Sequence, residues 1–322
     1  MNIIFMGTPD FAVPSLQLLL DEGYNVIAVV TQPDRPKGRK RVLTPPPVKV
    51  EAEKHGIPVL QPEKLRHADS VEVLRQLKPD LIVTAAYGQI LPKSVLELPQ
   101  YGCINIHASL LPKYRGGAPI HHAILRGEQV TGVTIMYMAE GLDTGDMISK
   151  VEVTIGDSDT TGTMFEKLSV AGADLLKRTL PDLLAGSIQA VAQNEADAVY
   201  SPNIRRDDEL IDWSRSAVEL WNQVRGLNPF PGAYTLWNGD VMKVWACANP
   251  KGDQPKSRSV VQTNGDAPAP GTVLNSNEFG LEVMTGDGTL WLTEIQPSGK
   301  KALPVSEFIR GVKIPDNTVF GH

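Results

Sequence analysis

Along the N-terminal half of the chain, short continuous apolar runs alternate with stretches of helical period. Residues 2–6 form an apolar run that stops at Gly7-Thr8-Pro9. Val13, Leu16, Leu19 and Leu20 follow at the spacing of one helix face, and Gly23 closes the segment. Residues 26–31 are a second apolar run, and this β-α-β order predicts the start of a doubly wound parallel sheet. The same reading predicts a helix over 48–55, an extended stretch over 57–60, a helix over 70–77 and a wholly apolar strand over 81–85. Further strands are expected over 104–107, 131–138 and 148–155, with a helix over 120–125. A long amphipathic helix over 160–184, broken near Pro181 and ended by Gly186, completes this half.

The pattern then changes. Residues 189–203 are polar and mostly extended, as a linker is. A helix over 216–226 and a turn cluster over 227–233 precede five short alternating strands at 234–237, 242–247, 271–274, 281–284 and 290–295. That series predicts a small β-barrel of OB type. The stretch 251–270, rich in Pro, Ser, Gln and Asp, reads as a disordered excursion between two of those strands. The expected organisation is an α/β domain over 1–188, a linker over 189–206 and a β-barrel domain over 207–322.

Three stretches carry candidate chemistry. In 104–107, the side-chain period of two puts Asn105 and His107 on one strand face and Ile104 and Ile106 on the other. An amide and an imidazole then project together where a strand ends, which is where open α/β sheets bind ligands. Residues 33–47 form a long loop carrying Arg35, Lys37, Arg39, Lys40 and Arg41, a candidate for phosphate contact or a solvated connection. Residues 140–146 set Asp143 and Asp146 among glycines, and spacing alone does not choose between these two carboxylates.

Composition narrows the classes. The 322 residues are 42% hydrophobic, enough for a sizeable core, and carry a net charge of −6, which argues against a general nucleic-acid binder. Only two cysteines occur, Cys103 and Cys247, so neither a disulfide framework nor a zinc site is expected. His121 and His122 are adjacent and point in different directions on a helix, and no metal is expected. Gly7-Thr8-Pro9 lacks the second glycine of a dinucleotide turn, which argues against NAD. Met1 leads directly into an apolar strand, and no apolar run approaches the ~20 residues of a membrane span. A cytoplasmic protein without a membrane anchor is expected.

Asn105-Ile106-His107, then Ser109-Leu110-Leu111-Pro112 and Tyr114-Arg115-Gly116, with Leu142-Asp143-Thr144-Gly145 downstream, resembles the folate-dependent formyltransferases. Phe5-Met6-Gly7-Thr8-Pro9-Asp10, Thr31-Gln32-Pro33-Asp34-Arg35-Pro36, Ile211-Asp212-Trp213, Asn228-Pro229 and Gly299-Lys300-Lys301-Ala302 are similar to the branch of that family acting on methionyl-tRNA. The resemblance covers essentially the whole chain. It implies a Rossmann-like formyltransferase domain followed by a small OB-like domain that binds tRNA. It also implies transfer of the formyl group of 10-formyltetrahydrofolate to the amino group of initiator methionyl-tRNA. A monomer is expected, since nothing in the sequence demands more. The family's catalytic residues fall on Asn105, His107 and Asp143, and its folate-contacting residues on Ser109, Leu110, Leu111 and Pro112. Its tRNA-contacting insertion falls on Arg39, Lys40 and Arg41, with Arg39 matching the family's functionally important arginine.

Formyl transfer to an amine is acyl transfer, and negative charge develops on the formyl oxygen. Donors aimed at that oxygen, and a group that takes the amine's proton, are the parts required. Residues 203–322 hold 12 Lys and Arg against 14 Asp and Glu, so a tRNA-binding face there is a local patch. Arg205, Arg206, Lys300, Lys301, Arg310 and Lys313 are its candidates. The alternatives are a formyltransferase of the same fold acting on a nucleotide-sugar amine, hydrolysis of the formyl donor, and a tRNA-binding module without activity.

Overall fold

The structure, a computed structural model, describes residues 1–38, 40–252, 268–315 and 317–321. Arg39 and most of the 251–270 excursion lie outside the described residues. The chain divides into two compact units. The first is Met1–Pro119, Val130–Thr154 and Phe165–Pro202; the second is Ile120–Gln129, Ile155–Met164 and Asn203–His322.

The first unit opens with β1 (Asn2–Gly7), a 3-10 turn, α1 (Val13–Asp21) and β2 (Asn25–Val30). Next come β3 (Arg35–Lys37), β4 (Val42–Thr44), α2 (Pro47–Lys54), β5 (Val59–Leu60), α3 (Ala68–Leu77), β6 (Leu81–Ala85), α4 (Lys93–Leu96) and β7 (Cys103–His107). α5 (Pro119–Leu125), β8 (Val130–Tyr137), β9 (Met147–Thr154) and α6 (Thr161–Leu184) follow, most of α5 and the start of α6 belonging to the second unit. One seven-stranded sheet runs in the order β5-β2-β1-β6-β7-β8-β9. Its β5, β2, β1, β6 and β7 are parallel, and β8 and β9 are antiparallel. Ile3, Ile4, Phe5 and Met6 are all completely buried, which is why β1 reads as a continuous apolar run: a parallel strand is covered on both faces. From β1 the order departs towards β2 on one side and β6 on the other. Loops beyond their C-terminal ends meet at that switch point.

The structure corrects two expectations. The basic stretch expected as an irregular loop contains a hairpin, in which β3 pairs antiparallel with β4. Gly38 at φ +70 and Arg41 at φ +48 turn the chain between them, and the Arg41 N–H donates to the Gly38 carbonyl at 3.1 Å. The helix expected to break near Pro181 continues to Leu184. Pro181 lies in its last turn and removes the bond its N–H would make to the Lys177 carbonyl, but Leu180 and Leu183 anchor that turn in the core. Residues 189–202, extended apart from a 3-10 turn over Glu195–Asp197, belong to the first unit and are hydrogen-bonded within it. Val191 and Met147 exchange two backbone bonds, the Arg115 N–H donates to the Val199 carbonyl at 2.8 Å, and the Ser201 N–H donates to the Arg115 carbonyl at 2.7 Å.

The second unit adds α7 (Arg206–Glu209), α8 (Ala217–Gly226), β10 (Ala233–Trp237), β11 (Asp240–Cys247), β12 (Val273–Asn277), β13 (Gly280–Met284), β14 (Thr289–Pro297), β15 (Leu303–Pro304) and α9 (Val305–Gly311). Ser216 and Glu219 close α8 with a reciprocal capping box. The strands form an antiparallel sheet in the order β10-β11-β14-β13-β12, with β15 on β14. Trp213, Trp221, Val244, Leu281, Leu292 and Phe320 belong to its core. The tail joins the two ends of this order. The Val273 N–H donates to the Thr318 carbonyl at 2.8 Å, and the Gly321 N–H to the Leu236 carbonyl of β10 at 2.9 Å. Backbone groups on both edge strands are thereby satisfied, which protects edges that would otherwise pair with other chains.

Candidate active site

β7 lies between β6 and β8, with Asn105 opposite Thr84 and His107 opposite Thr134. Asn105 is half-buried, whereas Ile104 and Ile106 on the other face are sealed in the core. The Thr84 hydroxyl donates to Asn105 Oδ1 at 2.8 Å, the shortest of its three contacts. A hydroxyl donor turns the amide oxygen towards β6 and leaves the Asn105 NH₂ as the group presented beyond the strand end.

His107 is fixed through one ring nitrogen and faces a carboxylate with the other. Nε2 lies 3.0 Å from the Tyr114 carbonyl, and a carbonyl only accepts, so Nε2 carries the proton. Nδ1 then faces Asp143 Oδ2 at 3.8 Å. The same carboxylate oxygen accepts from the Gly116 N–H at 2.9 Å. The loop that supplies these groups is tightly folded. Tyr114 sits at φ +64, and Gly116 at φ +118 lies so near the next segment that a Cβ would come within 2.8 Å of the Ser201 carbonyl oxygen.

Asp143 occupies the left-handed region at φ +52, which aspartate tolerates better than most residues. Gly145 follows at a point where a Cβ would stand 1.7 Å from the Tyr137 carbonyl oxygen, so only glycine lets the loop return against β8. Asp146 is exposed, and its carbonyl accepts from the Tyr137 N–H at 2.9 Å. Of the two carboxylates left open by spacing, Asp143 is the one brought beside His107. The Gln193 amide donates to the carbonyls of Asp143 and Gly145, each at 2.8 Å, and accepts from Arg115 Nε at 3.0 Å.

The Ser109–Pro112 loop is pinned from below. The Thr134 hydroxyl donates to the Ser109 carbonyl at 2.7 Å and accepts from the Leu111 N–H at 3.1 Å. Lys150 Nζ donates to the Leu111 carbonyl at 2.5 Å, and partial burial lowers the ammonium pKa. Ser109 and Leu111 are buried, while Leu110 and Pro112 are partly exposed. At the switch point the Thr8 hydroxyl and the Gln32 amide both donate to the Tyr87 carbonyl, at 2.8 and 3.2 Å. They anchor the loop after β6, which turns through Ala86 at φ +47 and Gly88 at φ +89 and exposes Ala86, Gly88 and Ile90.

Lys37, Lys40 and Arg41 are exposed on the β3–β4 hairpin, and Arg35 pairs with Glu63 at 3.1 Å. Arg205, Arg206, Lys300, Lys301, Arg310 and Lys313 are all exposed in the second unit. Arg206 is engaged with Glu209 and lies 3.9 Å over the Tyr234 ring. Among the described residues, no group of three or more His, Cys, Asp or Glu stands ready to hold a metal ion, and no helix is long and apolar enough to cross a membrane.

Four participants escaped the sequence reading: the Thr84 hydroxyl, the Tyr114 carbonyl, Arg115 and Gln193. Thr84 sits inside an otherwise apolar run, and a carbonyl has no residue type to recognise. Arg115 is completely buried, which an arginine in a glycine-rich loop does not announce. Gln193 sits in a stretch without periodicity.

Known proteins share the sequence and the fold of this chain. Residues 1–180 match the formyl transferase family, and residues 203–313 match the formyl transferase C-terminal domain. The methionyl-tRNA formyltransferase of Bacillus subtilis is 57% identical over 99% of this chain and 98% of its own. That of Bacillus pumilus is 59% identical over 97% of this chain and 95% of its own. The chain belongs to the methionyl-tRNA formyltransferase family. Among solved structures, WlaRD, a sugar 3N-formyl transferase, superimposes with a TM-score of 0.65 at 20% identity, over 94% of this chain and 99% of that one. HypX from Aquifex aeolicus in complex with tetrahydrofolic acid gives a TM-score of 0.63 at 20% identity. The match covers 98% of this chain and 48% of HypX, so the chain spans about half the length of that protein. At this identity the two structures speak for the shared fold: an α/β unit built on a largely parallel sheet, followed by an antiparallel β unit.

Proposed function

We propose that this chain transfers the formyl group of 10-formyltetrahydrofolate to the methionyl amino group of initiator tRNA, with Asn105, His107 and Asp143 as the catalytic residues. The observation that carries the reading is the set of groups at the end of β7. An outward amide donor stands beside an imidazole whose Nε2 proton is engaged, so that Nδ1 is the nitrogen left to accept a proton, across from a carboxylate.

In this reading the amine attacks the formyl carbon, the bond from that carbon to N10 breaks, and the amine's proton ends on N10. The Asn105 NH₂ donates to the formyl oxygen as charge builds on it, and one such donor is worth about 10²–10³ in kcat. His107 Nδ1, directly or through a water, takes the proton from the amine and returns it to N10. A proton arriving at Nδ1 faces the Asp143 carboxylate. The chemistry of the site suits the donor substrate. Leu110 and Pro112 give an apolar wall, and the loop over 86–91 presents backbone edges of the kind a flat heterocycle with its own donors and acceptors requires.

The hairpin supplies the tRNA preference in this reading. Lys40 and Arg41 on the hairpin, together with Arg39, bring positive charge to the acceptor stem, while the exposed cations of the second unit hold the rest of the tRNA. The test offers the purified protein 10-formyltetrahydrofolate with methionyl initiator tRNA, with a dTDP-linked amino sugar, or with no amine. Formylated tRNA is expected at a rate far above the other two products. Equal or faster formylation of the sugar, or release of formate alone, overturns the assigned acceptor.

A further inference from the structure

The Arg115 side chain is completely buried, and each of its three nitrogens donates a hydrogen bond. Its two terminal nitrogens donate to the two Glu195 oxygens at 2.9 and 2.8 Å, and Nε donates to Gln193 Oε1 at 3.0 Å. A guanidinium stays protonated and accepts nothing, so the Gln193 atom facing it has to be the oxygen. The Gln193 NH₂ is thereby turned towards the carbonyls of Asp143 and Gly145, which only accept. The amide's orientation is thus determined from both ends. Those two carbonyls lie on either side of Thr144, in the loop where Asp143 holds φ +52 and Gly145 presses on Tyr137. Arg115 reaches the same carboxylate from the other direction as well, because Gly116, the next residue, donates its N–H to Asp143 Oδ2. The backbone of Arg115 is in turn fixed between Val199 and Ser201.

We propose that Gln193, oriented by Arg115, is a positioning residue for formyl transfer: its amide clamps the Asp143 loop so that the carboxylate stays opposite His107 Nδ1. The stretch over 193–201 is then a buttress of the active site. The inference rests on the reading of Asp143 given above.

Two variants test it. Gln193→Glu keeps the length and the oxygen facing Arg115, but sets a second oxygen against two carbonyl oxygens. Gln193→Met removes all three bonds with little change of volume. A loop displaced by about an ångström costs on the order of 100-fold in kcat. A loss of that size is expected for both, with KM for folate and for tRNA unchanged, because the Gln193 amide is spent on Arg115, Asp143 and Gly145. The decisive arm is a double-mutant cycle on Asp143→Asn, with thermal unfolding and tRNA affinity measured on every variant. On the Asp143→Asn background, Gln193→Met is expected to cost almost nothing further, since the group it positions is already disabled. Full additivity of the two losses places the effect of Gln193 elsewhere and overturns the proposal, as does wild-type kcat in Gln193→Met. Wild-type kcat in Asp143→Asn, where Gln193 is intact, overturns the active-site reading itself and the proposal with it.

Discussion

Replacing Thr84 by valine removes one hydroxyl and almost no volume. Thr84 is 2% exposed in β6, and its hydroxyl is 2.8 Å from Asn105 Oδ1. A hydrogen bond of this kind contributes about 1 kcal/mol net, and an acceptor left without a donor costs about 1–3 kcal/mol. If the bond favours the productive amide orientation by about 1.4 kcal/mol, that orientation outweighs its flipped form about tenfold. Without it the two approach equality, and kcat falls about twofold from population alone. Loss of the tether at Oδ1 adds displacement, so a total fall of about two- to tenfold is expected for Thr84→Val, with little change in KM. Asn105→Ala, which removes the donor itself, is expected to lose about 10²–10³. Thr84→Ser retains the hydroxyl and stays near wild type. Steady-state formylation of methionyl-tRNA at saturating folate measures all three. Wild-type kcat in Thr84→Val refutes the orienting role. A loss equal to that of Asn105→Ala refutes it too, because orientation alone cannot cost that much.

Gly145→Ala puts a Cβ where the Tyr137 carbonyl oxygen lies 1.7 Å away, so the Asp143 loop has to move, and kcat is expected to fall by on the order of 100-fold while folate binding persists. Burial holds the His121 imidazole below its usual pKa of 6.5, against the opposing effect of its bond to the Phe230 carbonyl. The unfolded chain therefore binds the proton first as pH falls, and stability present above pH 6.5 is lost on the acid side until the folded imidazole also titrates. Melting curves should show this loss flattened in His121→Gln, and an identical pH slope in both proteins would rule His121 out as its source. Lys40→Ala and Arg41→Ala are expected to weaken tRNA binding and lower the slope of log affinity against log salt by about 0.7–0.9 for each phosphate contact removed, with kcat at saturating tRNA unchanged.

The scaffold was legible wherever burial imposes a period. β6 was read at its observed bounds because a parallel strand covered on both faces has no polar positions to blur its ends. The shared face of Asn105 and His107 followed from the strand period alone. The β3–β4 hairpin was not legible, because its residues are mostly exposed and carry no alternation to detect. Pro181 misled because local propensity was weighed without the core contacts of Leu180 and Leu183. The choice between Asp143 and Asp146 is made by backbone angles and a loop pressed on Tyr137, which their glycine-flanked spacing does not encode. Gln193 and Arg115 are 78 positions apart, and a polar pair at that separation leaves no pattern in one sequence.

The most direct measurement is the single-turnover rate of formyl transfer from 10-formyltetrahydrofolate to methionyl initiator tRNA, in wild type and in Asn105→Ala, at enzyme concentrations that saturate both substrates. A rate lower by about 10²–10³ in the variant, with tRNA and folate still bound, is expected if the end of β7 stabilises the developing oxyanion. An unchanged rate would place the chemistry elsewhere in the molecule.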